Sequence, residues 1–560
     1  MKILSKSPSK ISGCFLAVAL SAQASGAATC ESLINAPQLP NGKVTAAEHI
    51  SGGFFQLPPF CRVAATLKPS PHSNINMEVW MPNDATKANR GWNGKYLGTG
   101  NGGFGSAIVY SALIDGLKRG YAVANTDMGT SDPEDFLEGK SGSALIATPK
   151  KWLDYSFRAT SEMTKTAKLV IGAFYERPPA QSYFVGCSQG GGQALMQAQR
   201  FPDDYDGILA GNPANSRRVI FGILGAYQAT WLNDNAGLLT LDKLRLLKEK
   251  ILQTCRGPTP DAGHASDDFI SDPQACRFDP RTLQCRLPMR RTGCLTSAQA
   301  EAAFKMYDGP RVKDDPNRRS IYPGWPFGSE AVPSNWASFE GVIWVENVPQ
   351  RPFASIVFNT HFRSIFGDAW KWTEFEFTTQ NLDKFDNGCV TTDPEVCGLT
   401  KMGEATNPEL NKFKAPKLPT RPHGGKLIMY HGQADAVVPP QVSIDYYKSV
   451  VEKQGSEAET LKFARLFLAP GMAHCTGGPG PNSFNTPNPL DLPAEKHDLL
   501  SALDKWVTTG EAPPSVVATK LFVDANPMSG VAMSRPLCPY PKMARFKGGN
   551  PHDDRSFECR

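Results

Sequence analysis

The stretch "FVGCSQGGGQAL", Phe184–Leu195, limits the folds open to this chain more than any other. The apolar β-type run "SYFVG" leads into it, and "GGQALMQAQRF", with helical character, leads out. Between them, Gly186-Cys187-Ser188-Gln189-Gly190 fits the pattern G-x-S-x-G. That pattern alone carries little weight, because small residues are common. The flanks give it force: a strand that turns directly into a helix needs glycines at the corner, and it lifts the serine hydroxyl to the top of a parallel sheet. The plainer alternative is a glycine-rich turn without chemistry.

The surroundings suit such a sheet. From Asn76 to about Gly211, strand-like "NMEVWMP", "KYLGTG", "GYAVANTD" and "YDGILAG" alternate with helical stretches. In "YSFRATSEMTKTAKLVIGAFY", Met163, Ala167, Val170, Ile171 and Phe174 recur along one helical face. Alternation of this kind predicts an α/β fold with a mostly parallel sheet. It fades from about Arg217 to Pro416, where charged helices, cysteine-rich loops and Trp325, Trp336, Trp344, Trp370 and Trp372 take over. It returns at "KLIMYHGQAD", followed by the helix "SIDYYKSVVEKQG", the strand "FARLFLAPG" and the helix "KHDLLSALDKWVTTG". The expected division is a leader over 1–28, a core over 29–216 and 416–560, and an insertion over 217–415 that acts as a lid. In such folds ligands bind outside the carboxyl ends of the strands, so the insertion is expected there.

A serine needs a base, and the base needs an orienting acid. On this kind of sheet they follow in the order Ser, Asp or Glu, His. His264 and His361 fall in the insertion, and His423 in a Pro/Gly loop. His497 reads as a solvated residue of the last helix, and His431 stands too close to Asp435 to be its base. His474, just after a strand, is the expected base, and Asp435, just past "LIMYHGQA", the expected acid. The competing readings are an ordinary loop histidine for His474 and a cap of the following turn for Asp435.

Of 13 cysteines, Cys14 falls in a leader whose Lys2, Lys6 and Lys10, apolar "CFLAVAL" and small-residue end mark a secretory signal peptide. The even set left over suits an exported, disulfide-bonded protein, secreted or periplasmic. Proximity suggests Cys30 with Cys61, Cys255 with Cys276, Cys285 with Cys294, Cys389 with Cys397 and Cys538 with Cys559, although sequence alone does not fix connectivity. Cys187 and Cys475 are left, each beside a proposed catalytic residue. If the Ser188 and His474 loops meet, the two cysteines come within bridging reach and clamp the pair. With 59 basic and 54 acidic residues the net charge is +5, and no basic cluster interleaved with aromatics suggests a nucleic-acid partner. No later apolar run is long enough to span a membrane.

Taken together, "GCSQGG", "HGQAD" and "AHC" resemble the CS–D–HC arrangement of the tannase and feruloyl esterase family, which also includes a terephthalate monoester hydrolase. "SYFVGCSQGGGQALMQAQRFPDDYDGILAGNPA" is similar to the family pattern almost throughout, and the insertion and cysteine spacing match as well. The resemblance implies an α/β-hydrolase fold with a large inserted lid, with Ser188 as nucleophile, His474 as base and Asp435 as its orienter. One oxyanion donor is expected at the backbone N–H of Gln189, the residue after the nucleophile. "GTGNGGFG" resembles the family's oxyanion loop, which would put the second at Gly103 or its neighbour Gly102.

Family members often carry calcium in the lid. The matching stretch here, "CRGPTPDAGHASDDFISDPQAC", keeps Asp261 and Asp268 but has His264 where a middle aspartate is expected. No cofactor is required by the chemistry, and a structural calcium is the one metal the resemblance suggests. The lid aromatics and Arg363 could contact an aromatic acyl group and its carboxylate, although core-filling is the commoner role. The expected activity is hydrolysis of feruloyl-, caffeoyl- or galloyl-type esters, small aromatic esters being the only partners. A terephthalate monoester hydrolase is the nearer alternative; a serine peptidase or a silent binding protein on the same fold are the farther ones.

Overall fold

The computed structural model describes residues 28–53, 56–131, 143–232, 236–256, 264–286, 293–330, 332, 362–367, 369–389, 397–484 and 489–560. Residues 1–27 of the expected leader, Asp261, His361, Trp336 and Trp344 lie outside the described residues.

A nine-stranded sheet forms the centre. Its strands are β1 (Gly42–Ile50), β2 (Phe60–Leu67), β3 (Ile75–Pro82), β4 (Lys95–Thr99), β5 (Ala122–Thr126), β6 (Gln181–Cys187), β7 (Gly207–Gly211), β8 (Lys426–Gly432) and β9 (Ala464–Ala469). They lie in the order β1-β2-β3-β5-β4-β6-β7-β8-β9. The pairs from β1 to β5 are antiparallel, and the pairs from β5 to β9 are parallel. The parallel half is the part the alternation predicted. β5, β7 and β8 are buried along their whole length, as expected for strands covered on both faces.

The helices of described residues used below are α1 (Tyr110–Lys118), α2 (Ala159–Tyr175), α3 (Gln189–Arg200), α4 (Val219–Trp231), α5 (Leu241–Cys255), α6 (Ser297–Asp308), α7 (Thr379–Asn387), α8 (Gln441–Gln454) and α9 (Leu499–Thr509). The stripe read from the sequence of α2 is buried as expected: Met163, Ala167, Val170, Ile171 and Phe174 all pack into the core on one side of the sheet. On the other side, α1 gives Leu113 and Leu117, and α9 gives Leu499, Leu503 and Trp506.

The chain passes from β4 to β5 on one side, then returns to β6 on the other, so the order reverses around β4. This switch point opens a crevice at the carboxyl ends of β4 and β6. The loops carrying "GTGNGGFG" and Ser188 both leave the sheet there.

The long excursion between β7 and β8 carries α4 to α7. Its aromatics mostly serve its own core: Phe362 stacks on Trp370 at 4.6 Å, and Phe221 and Phe375 close around them. Arg363, next to Phe362, is exposed. The excursion is tied to the rest of the chain by polar contacts. The guanidinium of Arg535 donates to Asp267 at 2.7 Å, both side chains being buried. Within the excursion, Arg218 pairs with Asp386 at 2.7 Å.

Three features differ from the sequence reading. Strands β1 and β2 precede the alternating region and extend the sheet. After α9 the chain forms two small hairpins, β10 (Val516–Leu521) with β11 (Val531–Leu537) and β12 (Ala544–Phe546) with β13 (Phe557–Cys559). His497 is not solvated: it is fully buried, with Nδ1 2.8 Å from the carbonyl of Val517 on β10. The added hairpin covers the helix face that the sequence leaves looking exposed.

Glu330 lies fully buried in the insertion, accepting from the hydroxyl of Tyr307 at 2.7 Å and the N–H of Gly328 at 3.0 Å. Burial raises its pKa from 4.5 to about 7, the hydrogen bonds offsetting only part. The native state therefore holds this proton after the unfolded chain has released it, and stability falls as pH rises across that window. Glu330→Gln removes the titration. In thermal melts its Tm advantage over the parent is expected to grow from pH 4.5 to about 7 and then level off; a pH-independent difference would refute the assignment.

Candidate active site

Ser188 sits at the corner between β6 and α3 with φ 62° and ψ −123°. A non-glycine residue rarely adopts this backbone, which costs on the order of 1–3 kcal/mol and persists only where the surroundings impose it. Here they do. The N–H of Ser188 donates to the Gly211 carbonyl at 3.0 Å, and its own carbonyl accepts from Gly192 at 3.1 Å and Ala214 at 2.9 Å. The glycines are needed for space. A Cβ on Gly186 would lie 2.3 Å from the Gly190 carbonyl oxygen, and one on Gly191 would lie 2.3 Å from that of Gly211.

Asp435 follows β8 and is fully buried. Its Oδ1 accepts the N–H groups of Val437 (2.7 Å) and Val438 (2.9 Å), and its Oδ2 accepts Nδ2 of Asn212 (2.7 Å). Nδ1 of His474 lies 2.8 Å from the same Oδ2. Burial pushes the carboxyl upward, but the charge of His474 and hydrogen bonds from His431 and His474 outweigh it and hold it well below the usual carboxylate range. An ionised carboxylate only accepts, so the shared proton sits on Nδ1 of His474, and Nε2 becomes the basic nitrogen. The His474 side chain is 14% exposed, and Ser188 is likewise partly accessible.

His431 is closer to this centre than its sequence reading allowed. It is fully buried, with Nε2 3.2 Å from Asp435 Oδ2 and 2.8 Å from the Val438 carbonyl, and Nδ1 2.7 Å from the Ser443 hydroxyl. A carbonyl can only accept, so Nε2 carries the proton and Nδ1 accepts from Ser443. Both nitrogens are occupied, which makes His431 a support of Asp435. Asn212 is the other residue the sequence did not single out. It follows β7 with φ 36°, and nothing in "AGNPA" marks its amide as a partner of a distant aspartate.

The loops around these residues are bound to one another. Gln433 donates from its backbone to the Ala469 carbonyl at 2.9 Å, and Ala434 donates to that of Met472 at 2.9 Å, which lays the Asp435 loop along the His474 loop. Val332 of the insertion packs on Ala434 and Ala473, immediately beside both side chains. In the "GTGNGGFG" loop, the N–H of Asn101 donates to Oε1 of Gln193 at 2.8 Å, and its Nδ2 donates to the Thr126 carbonyl at 2.7 Å. A Cβ on Gly100 would stand 2.6 Å from the Gly190 Cα, so this loop lies directly against the start of α3. Gly103 has φ 52° and is exposed, as is Gly102. Gln189 opens α3, where the first N–H groups find no partner inside the helix.

All six cysteine pairs suggested by the sequence are bonded: 30–61, 187–475, 255–276, 285–294, 389–397 and 538–559. Cys187–Cys475 spans 288 residues with Cα atoms 6.0 Å apart, and Ser188 and His474 flank its two ends. Among the described residues, no group of three or more His, Cys, Asp or Glu side chains is placed to hold a metal ion. Of the two aspartates expected to bind calcium, only Asp268 is described, and it pairs with Lys248 at 2.9 Å. Neighbouring Asp267 is taken by Arg535.

Closing so long a loop restrains the unfolded chain by about 6 kcal/mol in the chain-entropy treatment, an upper figure because real bridges often contribute less. Cys187→Ser with Cys475→Ser is therefore expected to lower Tm by several degrees. Because the bridge also fixes the His474 loop against the Ser188 corner, turnover should fall even well below the melting temperature. Unchanged values of both would refute the clamp.

Comparison with known proteins agrees with this architecture. The family model described as tannase and feruloyl esterase matches residues 61–560. The chain is 33% identical to an uncharacterized esterase of Xanthomonas campestris pv. campestris, over 97% of this chain and 92% of the relative. It is 29% identical to a probable feruloyl esterase B of Emericella nidulans, over 95% and 94%. The crystal structure of feruloyl esterase B from Aspergillus oryzae superposes with a TM-score of 0.75 at 25% identity, covering 95% of this chain and 99% of that one. An α/β-hydrolase sheet, a family match running to the last residue and esterase relatives of nearly equal length lead to one conclusion: the chain belongs to the tannase and feruloyl esterase family and is a carboxylic ester hydrolase.

Proposed function

We infer that this chain cleaves esters of aromatic carboxylic acids, of feruloyl, caffeoyl or galloyl type, by acyl transfer through Ser188. The observation that carries the reading is the 2.8 Å contact between His474 Nδ1 and buried Asp435, on a loop covalently tied to the Ser188 corner. In this reading His474 Nε2 removes the Ser188 proton as the hydroxyl attacks the ester carbonyl. The N–H of Gln189 and that of Gly103, or of its neighbour Gly102, receive the oxyanion. The imidazolium, stabilised by Asp435, gives its proton to the departing alcohol, and water activated by the same nitrogen releases the acid. No cofactor takes part. The aromatic acyl group is supported by the family and by relatives named feruloyl esterase. The division into a core and a lid over 217–415 fits the excursion between β7 and β8. Export is supported by the six disulfides.

The test is hydrolysis of methyl ferulate, methyl gallate, chlorogenate, a terephthalate monoester and a p-nitroanilide peptide. Turnover of at least one of the hydroxycinnamoyl or galloyl esters is expected, with the anilide untouched. Ser188→Ala should lose at least about a thousandfold in kcat, and Asp435→Asn about as much, because the amide leaves His474 in the wrong tautomer. Undiminished turnover by Ser188→Ala would refute the serine mechanism. A marked preference for the terephthalate ester would move the substrate class.

A further inference from the structure

Arg217 stands at the start of the insertion, yet it is only 6% exposed. Neighbouring Arg218 stays partly exposed and pairs with Asp386, whereas Arg217 turns inward. A buried guanidinium is costly to desolvate and cannot shed its proton, so its contacts need a reason.

Those contacts reach both residues whose N–H groups are assigned to the oxyanion, Gln189 through its side chain and Gly103 through its carbonyl. Nη1 of Arg217 donates to Oε1 of Gln189 at 2.9 Å and to the hydroxyl of Tyr155 at 3.2 Å. The guanidinium also lies over the Tyr155 ring, 4.8 Å from its centroid. The Tyr155 hydroxyl donates in turn to the carbonyl of Gly103 at 3.0 Å. Tyr155 is buried and its hydroxyl pKa is raised, mainly by burial, so its proton stays available for this bond. It sits in a single π-helical turn, Asp154–Arg158, immediately before α2, a distortion frequent at functional sites.

Arg217 is itself held from the far end of the insertion. Its N–H donates to Oε1 of Glu404 at 2.6 Å, and the Ser216 hydroxyl donates to the same oxygen at 3.3 Å. The N–H of Ala405 donates to the Asn215 carbonyl at 2.8 Å. Gly403 leaves the space the guanidinium needs: a Cβ there would stand 2.9 Å from Nε.

We propose that Arg217 is a positioning residue that fixes both oxyanion donors in one frame, Gln189 directly and Gly103 through Tyr155. This rests on the serine mechanism above. Gln189 and Gly103 come from different loops, and both must face one oxygen to within a few tenths of an ångström for the transition state to gain from them. The glycine loop has no side chain at Gly102 or Gly103 to hold it. The Gly102 carbonyl accepts from Gly105 within the turn itself, and the Gly103 carbonyl is held from outside it by Tyr155.

The decisive variant is Tyr155→Phe, which removes one hydroxyl and keeps the ring. With p-nitrophenyl acetate, a substrate too small to depend on contacts of the insertion, kcat is expected to fall about ten- to a hundredfold with KM within about twofold. Affinity for a phenylboronic acid, whose tetrahedral adduct with Ser188 carries the same oxyanion, should fall in parallel while Tm moves little. Gln189→Ala keeps the backbone donor and removes only its tether. It should cost a similar factor alone, but add little on top of Arg217→Lys, because both break one connection.

Parent-like kcat and boronate affinity in Tyr155→Phe would overturn the proposal, as would a loss of kcat with boronate affinity intact. Ser188→Ala separates the two levels. If it keeps turnover, the serine mechanism itself has failed. If it is inactive while Tyr155→Phe is unimpaired, only the role of Arg217 falls.

Discussion

Everything at the mouth of this sheet depends on the closeness of three backbone segments, which only missing side chains permit. The β6–α3 corner, the loop after β4 and the segment after β7 touch through Gly100, Gly186, Gly190 and Gly191. Added methyl groups there would meet backbone atoms, which cannot swing aside as a side chain can. The glycines weaken α3 as an isolated helix. Packing supplies what propensity does not, since nearly every residue of α3 is buried. The strained Ser188 backbone is one result of this contact, and the exposed Gly102–Gly103 turn beside it is another.

A second constraint is electrostatic. Asp435 is a full charge out of contact with water, tolerable only because donors converge on it from two backbone N–H groups, an amide and two histidines. This arrangement also decides where protons sit. With Asp435 ionised, His474 carries its proton on Nδ1, and with Val438 and Ser443 occupying His431, His474 is the histidine to which the proposed mechanism gives the base. Two histidines of the same type near one aspartate are thus separated in role by one carbonyl and one hydroxyl.

Much of this was legible in the sequence, for identifiable reasons. The Ser188 corner showed itself through its flanks, the face of α2 through its 3.6-residue period, and β8 through an unbroken apolar run. The six cysteine pairs followed from proximity and from the two cysteines left over. What escaped were polar residues whose role comes from burial by distant segments. Asn212 and Arg217 each look ordinary in their own neighbourhood, and the partner that gives each its purpose lies elsewhere in the chain; His431 stands only four residues from Asp435, and it is the fold that sets its ring against that carboxylate. His497 was misread for the same reason, because the hairpin that covers it had not been anticipated. Strand β2 carries its own signal: "FCRVAATL" alternates, and its inward residues are buried. The calcium expectation could be followed only through Asp268, which is engaged by a lysine.

The two ends of the insertion meet at Asn215–Arg217 and Gly403–Ala405, where they are joined to each other and to the floor of the crevice. This has a bearing on modularity. Large insertions are natural units to exchange when an enzyme is redesigned for a new acid, and the visible composition change suggests cutting at Arg217. A cut there would remove a residue that belongs structurally to the core it leaves behind. A chimera should instead be spliced inside Arg217 and Glu404, so that the incoming segment inherits the stitched base and only the portion above it varies. The boundary that matters for recombination is therefore set by buried contacts: it shifts hardly at all on the Arg217 side and falls well before Pro416 on the Glu404 side.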